Sequence, residues 1–176
     1  MSVRRSAVTT IGLLVVFAGL LSFVLLRDKF APSKTKAEEK IVQVLSFDTA
    51  TVTSAVFVFD GKTVEVIREG DLWKLKQPFE AEARPEKMDE MLSALHDLKS
   101  TDVPLTDAGD LAQYGLATPA VTVTLHFPEG EKKLELGERD YTGLATYARV
   151  SGDDRVHFVD ASLLFTLKPD PDGLKK

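Results

Sequence analysis

The stretch from Val52 to Pro78, VTSAVFVFDGKTVEVIREGDLWKLKQP, decides the fold. Val52 to Phe59 is rich in β-branched and aromatic residues, and Val64 and Val66 then alternate with polar neighbours. A period of two turns one face of a strand toward a core and the other toward water. Between the two runs, Asp60-Gly61 supplies the positive φ of a tight hairpin turn. Glu69-Gly70-Asp71 makes the next turn, after which Trp73 and Leu75 share one face of a third strand that Pro78 ends. Upstream, Ile41-Val42-Gln43-Val44-Leu45 begins the β pattern.

Beyond Pro78 the period changes. Arg84-Pro85-Glu86 places a proline at a first-turn position, and Met88, Met91, Leu92, Leu95 and Leu98 recur at three- and four-residue intervals. This spacing predicts an amphipathic helix of about fourteen residues. Asp107 to Leu116 reads as one helical turn ended by a left-handed Gly115, and Pro119 aims the chain into another strand. Val121, Val123 and Leu125 alternate with Thr122, Thr124 and His126, and Pro128-Glu129-Gly130 returns the chain through Lys133 to Gly137. A further hairpin joins Thr146–Val150 to Arg155–Val159, with Asp160 as N-cap of a last short helix through Leu163, Leu164 and Leu167. Tight turns between neighbouring strands predict an α+β domain over 41–168, a mainly antiparallel β-sheet with one principal packed helix. The hairpins before and after that helix are alike in type, which hints at a β-rich unit used twice. Residues 169–176 read as a polar tail.

Ahead of the domain, a short basic segment (1–6) precedes twenty uncharged residues, AVTTIGLLVVFAGLLSFVLL, from Ala7 to Leu26. At about 1.5 Å per residue that run matches a hydrocarbon core of about 30 Å and predicts an N-terminal transmembrane helix. The exit, Leu25-Leu26-Arg27-Asp28, lacks a small-residue cleavage pattern, so the helix is expected to stay as an anchor. Residues 27–40, with Pro32 and interleaved Lys and Glu, read as a juxtamembrane linker. Arg4 and Arg5 before the span against Arg27, Lys29, Lys34, Lys36 and Lys40 after it would keep the domain in the cytoplasm if basic residues alone decided. A short basic N-terminus before a first apolar segment is the ordinary signal-anchor arrangement, and it favours an extracytoplasmic, periplasmic domain on the inner (cell) membrane. A net charge of −5 lacks the basic excess of a dominant nucleic-acid binder. The absence of cysteine rules out disulfides, thiolate metal sites and a cysteine nucleophile.

The pattern Trp73-x-Leu75-x-x-Pro78, the Leu92/Leu95/Leu98 helix and then Asp110-Leu111-x-x-Tyr114-Gly115-Leu116-x-x-Pro119 resembles the family catalogued as domain of unknown function 4340. The likeness continues through Leu134-x-Leu136-Gly137 and from Tyr147-x-Arg149 to Val156-x-x-Val159, and covers about Val52 to Leu167. The resemblance implies an extracytoplasmic bacterial domain tethered to the inner membrane. Such domains are often encoded beside ABC-type transport components related to gliding-motility systems. No catalytic residues are assigned to that family, so it implies none here. Many members run through further copies of the unit.

The residues themselves offer little chemistry. No G-x-S-x-G occurs, and Ser93, Ser151 and Ser162 lie in ordinary contexts. Phosphate-binding glycine loops are missing as well. His126 and His157 would approach each other if their hairpins pair, but zinc would need further ligands, and His96 is remote in sequence. Glu80, Glu82 and Glu86 offer a carboxylate pair, although acids at a helix start are expected from the dipole alone. Asp170-Pro171-Asp172-Gly173 starts like a calcium loop without its distal glutamate. Trp73 and Tyr114 are the candidate partner contacts; a strand tryptophan is usually a core or helix-packing residue, with exposure pointing instead to a contact, and Tyr114 is expected to pack beside the Gly115 turn. The expectation is therefore a single-pass, non-catalytic binding or scaffolding protein of the bacterial envelope. It would be an accessory subunit of an ABC-transporter-type complex, without catalytic, cofactor or metal site. The alternatives are an envelope enzyme or small-ligand binder using Glu80–Glu86 or His126/His157, and a structural subunit assembled through the transmembrane helix.

Overall fold

Alternating residues build an eight-stranded antiparallel sheet in the order β4-β3-β2-β1-β5-β6-β7-β8. Its strands are β1 (Ser54–Phe59), β2 (Lys62–Glu69), β3 (Leu72–Gln77), β4 (Ala81–Glu82), β5 (Val121–Phe127), β6 (Gly130–Arg139), β7 (Ala145–Val150) and β8 (His157–Asp160). The computed structural model describes residues 42–102, 104–106 and 109–176. The expected span 7–26, the basic segment before it and the linker 27–40 lie outside the described residues. No helix among the described residues is long and apolar enough to cross a membrane.

Two four-stranded meanders, β1–β4 and β5–β8, meet where β1 pairs with β5, Phe57 opposite Val123. Each follows a 3-10 turn, Thr49–Thr51 or Leu111–Tyr114, whose preceding aspartate (Asp48 or Asp110) accepts the N–H of the residue two positions on. Each is followed by a helix, α1 (Pro85–His96) after the first and the short α2 (Leu163–Thr166) after the second. The unit used twice is thus visible as topology, not as a residue-by-residue repeat.

One face of the sheet carries the core. Ala55, Phe57, Val64, Val66 and Leu75 of the first meander join Val121, Val123, Leu125, Leu134 and Leu136 of the second, all nearly or fully buried. Met88, Met91, Leu92 and Leu95 of α1 close over them. Full burial of each large apolar side chain contributes about 1.5–3 kcal/mol, so this helix face is worth more than its intrinsic propensity.

Four expectations need correction. The run from Ile41 to Leu45 forms no named strand among its described residues; Gln43 makes an isolated bridge with Lys99, and Val44 N–H donates to Leu98 O. The principal helix has 12 residues and ends before Leu98, which is buried beyond it in the turn. Asp160 does not occupy the cap of α2: Ser162 does, while Asp160 Oδ1 accepts the Ser162 N–H one step earlier. The segment 169–176 is no solvated tail. Pro171–Leu174 forms α3, Leu174 is 3% exposed, and Lys175 bridges to Ala83. Leu174 is apolar enough to pull this polar-looking segment into the core, so the folded domain runs past 168.

Candidate functional site

The helices leave one part of the sheet's other face partly open, with Val56 half-buried and Val58 exposed. On β1, Val56 and Val58 point that way; Val56 lies between Glu65 and Thr124, and Val58 between Thr63 and Thr122. Val58 is 41% exposed at the middle of the sheet. Farther along, Thr124 faces Lys133 and Thr122 faces Glu135 across β5–β6, and Lys133 Nζ lies 2.6 Å from Glu135 Oε1. The result is a β-branched stripe two strands wide with a charged flank, a surface on which a partner can bury apolar groups inside a polar rim.

The same face is closed at its β6–β8 end. Residues 104–106 and 109–116 cross it, Leu105 bridging to Val156. Leu116 and Val156 are buried there, and the Tyr114 ring packs 4.9 Å from Tyr147, itself 5.4 Å from Phe158. Burial raises the Tyr147 phenol above its ordinary pKa, with the Asp140 charge adding to it. What fixes this docking is glycine. Gly115 sits at φ +67°, where a Cβ would also come within 2.7 Å of Glu138 N. A Cβ on Gly137 would run into the Tyr114 carbonyl oxygen. Gly137 and Glu138 form the irregularity in the β6–β7 register, and Thr146 Oγ1 hydrogen-bonds both their carbonyls, at 3.1 and 2.9 Å. Tyr114 is thus half-buried and held by packing, so the chemistry of its position is structural first.

Trp73 is 3% exposed in the core, with the Arg68 guanidinium 5.6 Å from its ring centroid. It has almost no surface to offer a partner and takes the core role usual for a strand tryptophan. Glu80 pairs with Lys76 at 3.1 Å and Glu82 with Lys176 at 2.8 Å. These two carboxylates and Glu86 are not assembled around a cavity; Glu86 lies in the first turn of α1.

His126 and His157 do not meet. They sit on β5 and β8 with two strands between them, roughly 14 Å along the sheet, and on opposite faces. His126 is 3.5 Å from Glu131 at the surface. His157 is fully buried, its Nε2 3.1 Å from Asp153 Oδ2. Asp153 also receives Arg155 Nε and Nη2, at 2.9 and 2.7 Å. The Arg155 guanidinium, helped by the Arg155 N–H and His157, holds the Asp153 carboxyl far below the usual carboxylate range against the opposing effect of burial. His157 Nδ1 has no partner among the described residues. His96 Nδ1 lies 2.8 Å from Phe47 O. Asp170 and Asp172 belong to the start of α3 rather than to a calcium loop. No three His, Asp or Glu groups among the described residues come together to hold a metal ion.

Two surfaces escaped the sequence reading. A cavity of about 490 Å³ is lined by Phe47, Phe127, Asp48, Glu129 and Lys132, the two rings 5.8 Å apart. Tyr141, Leu144 and Phe165 are strongly exposed at one end of the sheet. Apolar residues in a segment that also holds Asp140, Thr142 and Gly143 were the available signal, because turns rarely need them.

Residues 73–176, more than half of the chain, match the model of the family described as Domain of unknown function (DUF4340). The chain belongs to that family. No curated protein and no solved structure matches it. The DUF4340 match begins at Trp73 and contains the whole second meander with its Tyr114–Gly137 docking; β1, with Val56 and Val58, precedes it.

Proposed function

We propose that this DUF4340 protein is a single-pass, membrane-anchored binding or scaffolding subunit of the bacterial envelope. Its periplasmic α+β domain docks a protein of a transporter-type membrane complex and does no chemistry of its own. The partly open stripe of half-buried Val56 and exposed Val58 carries the reading: a β-branched patch rimmed by Thr122, Thr124, Lys133 and Glu135 in mid-sheet has the make-up of a recognition surface. The uncharged run 7–26 supports the anchor.

A photo-crosslinking residue at Val58 in intact membranes is expected to capture a transport component, whereas one at Glu80 captures none. Silence at both positions would overturn the reading. Replacing 7–26 with an unrelated span keeps the Val58 adduct if the domain makes the contact, and removes it if the anchor helix does. A second reading, small-ligand binding, is supported by the Phe47/Phe127 cavity. A ligand that raises the unfolding temperature of the chain but not of its Phe127→Ala variant would establish it.

A further inference from the structure

We propose that the β6–β7 loop and α2 form a bilayer-contacting tip, with Tyr141, Leu144 and Phe165 entering the boundary between headgroups and acyl chains. This rests on the reading of 7–26 as a membrane span. The three side chains are 98%, 77% and 70% exposed, the most solvent-exposed large apolar groups among the described residues. They belong to one structure: Ala161 N–H donates to Leu144 O at 3.0 Å, tying the loop to the approach to α2, and the Arg139 guanidinium stacks 5.2 Å from the Phe165 ring centroid.

The loop meets several of its own polar groups internally. Asp140 N–H donates to Ala145 O at 2.9 Å, and Ala145 N–H returns to Asp140 Oδ1 at 3.0 Å. Thr142 Oγ1 donates to Asp140 Oδ2 at 2.7 Å and accepts Leu144 N–H at 3.2 Å, while Gly143 N–H reaches Asp140 O at 3.0 Å. These bonds leave fewer of the loop's backbone donors to be met by water, which lowers the cost of bringing its apolar side chains to a lipid boundary.

Size argues for lipid over protein. Three such side chains offer on the order of 500 Å², short of the roughly 800 Å² each partner contributes to a standard protein interface. A bilayer sets no such minimum. The tether removes the need for high affinity, because residues 27–41 span at most about 50 Å, and a contact made within one anchored molecule works at high effective concentration. Tyr and Arg suit the headgroup level, where an apolar body and a polar end are both solvated. Nearby acids are engaged locally, Asp160 by Ser162 N–H and Asp60 by Lys168 at 3.0 and 3.1 Å.

The chain has no cysteine, so single nitroxide labels can be placed cleanly. In the full chain reconstituted into phosphatidylcholine nanodiscs, labels would be compared at Leu144→Cys, at Asp71→Cys in the opposite β2–β3 turn, and at Val16→Cys in the span. Collision with dissolved oxygen against a water-soluble nickel chelate reads depth. The expected result is a deep Val16 label, a Leu144 label at the boundary and an Asp71 label in water. Adding Tyr141→Ser and Phe165→Ser should lower the bilayer-contacting fraction of the Leu144 label about tenfold. A water-exposed Leu144 label beside a deep Val16 label sinks the tip and spares the anchor. A water-exposed Val16 label sinks the anchor itself. An unchanged Leu144 depth in the serine variant also overturns the proposal, since the label alone would then be inserting.

Discussion

The first meander, β1–β4, rests on a 12-residue helix and leaves its other face open to solvent at Val58, beside a half-buried Val56. The second, β5–β8, shares the core under that helix, adds the four-residue α2 on the same side, and closes the β6–β8 part of its other face with the segment through Leu105, Tyr114 and Leu116. Strand pattern and turn order are nearly the same in both, so what differs is coverage. One helix serves the core face of both meanders, whereas the other face is covered only over β6–β8 and stays open around Val58. Val56 and Val58 at the middle of the open stripe precede the family match, while its Thr122, Thr124, Lys133 and Glu135 flank and the glycine-locked packing lie within it.

The most severe test strikes the large core of the first meander. Trp73→Ala should destabilise the chain by about 4 kcal/mol, as for other buried large aromatics. Because β1 and β5 are paired along their length, chemical unfolding should remain a single transition. A second transition that the substitution spares would break the picture of two meanders sharing one sheet.

Gly137→Ala strikes the second meander and should cost about 3 kcal/mol, the upper range for overpacking, because the obstacle is the Tyr114 carbonyl rather than a movable side-chain end. The damage should be local first. Amide exchange at Leu105 and Val156, which exchange hydrogen bonds of 2.8 and 3.0 Å, should speed up well before that of Val64 and Val66. Equal acceleration in both meanders would mean that the packed segment is not a separate layer.

The strands, the two hairpin systems and the principal helix were legible because period and turn chemistry are local: Asp60-Gly61 takes the expected positive φ at both residues, and Gly115 the expected left-handed cap. Coverage was not legible, since nothing in Val56-x-Val58 says which face a distant helix will choose. Trp73 was open in the same way, as an aromatic on an alternating strand marks a face but not whether that face is outside, and it takes the core role usual for a strand tryptophan. His126 and His157 failed for a topological reason: both hairpins pair as expected, yet two strands intervene and the residues have opposite parity. The tail was misread by composition, one leucine among charges being enough once a partner such as Ala83 lies within reach.

The smallest predicted effect separates the two outer turns by their response to acid. In the second meander, Asp153 joins Arg155 to the buried His157, and its carboxyl titrates well below the ordinary 3.8. A lowered folded value means that the ionised form stabilises the fold above about pH 4 and that this contribution drains away as pH falls through the lowered value. Asp153→Asn should therefore cost about 2 kcal/mol near neutrality, the range for hydrogen bonds to charged groups, and the gap to the parent chain should narrow in urea titrations below pH 4. The β3–β4 turn has only the exposed Lys76–Glu80 pair, and Glu80→Gln should change stability by no more than about 0.5 kcal/mol. If the two variants behave alike, burial of His157 is not what gives the Asp153 turn its weight, and the contrast between a closed and an open half would rest on packing alone.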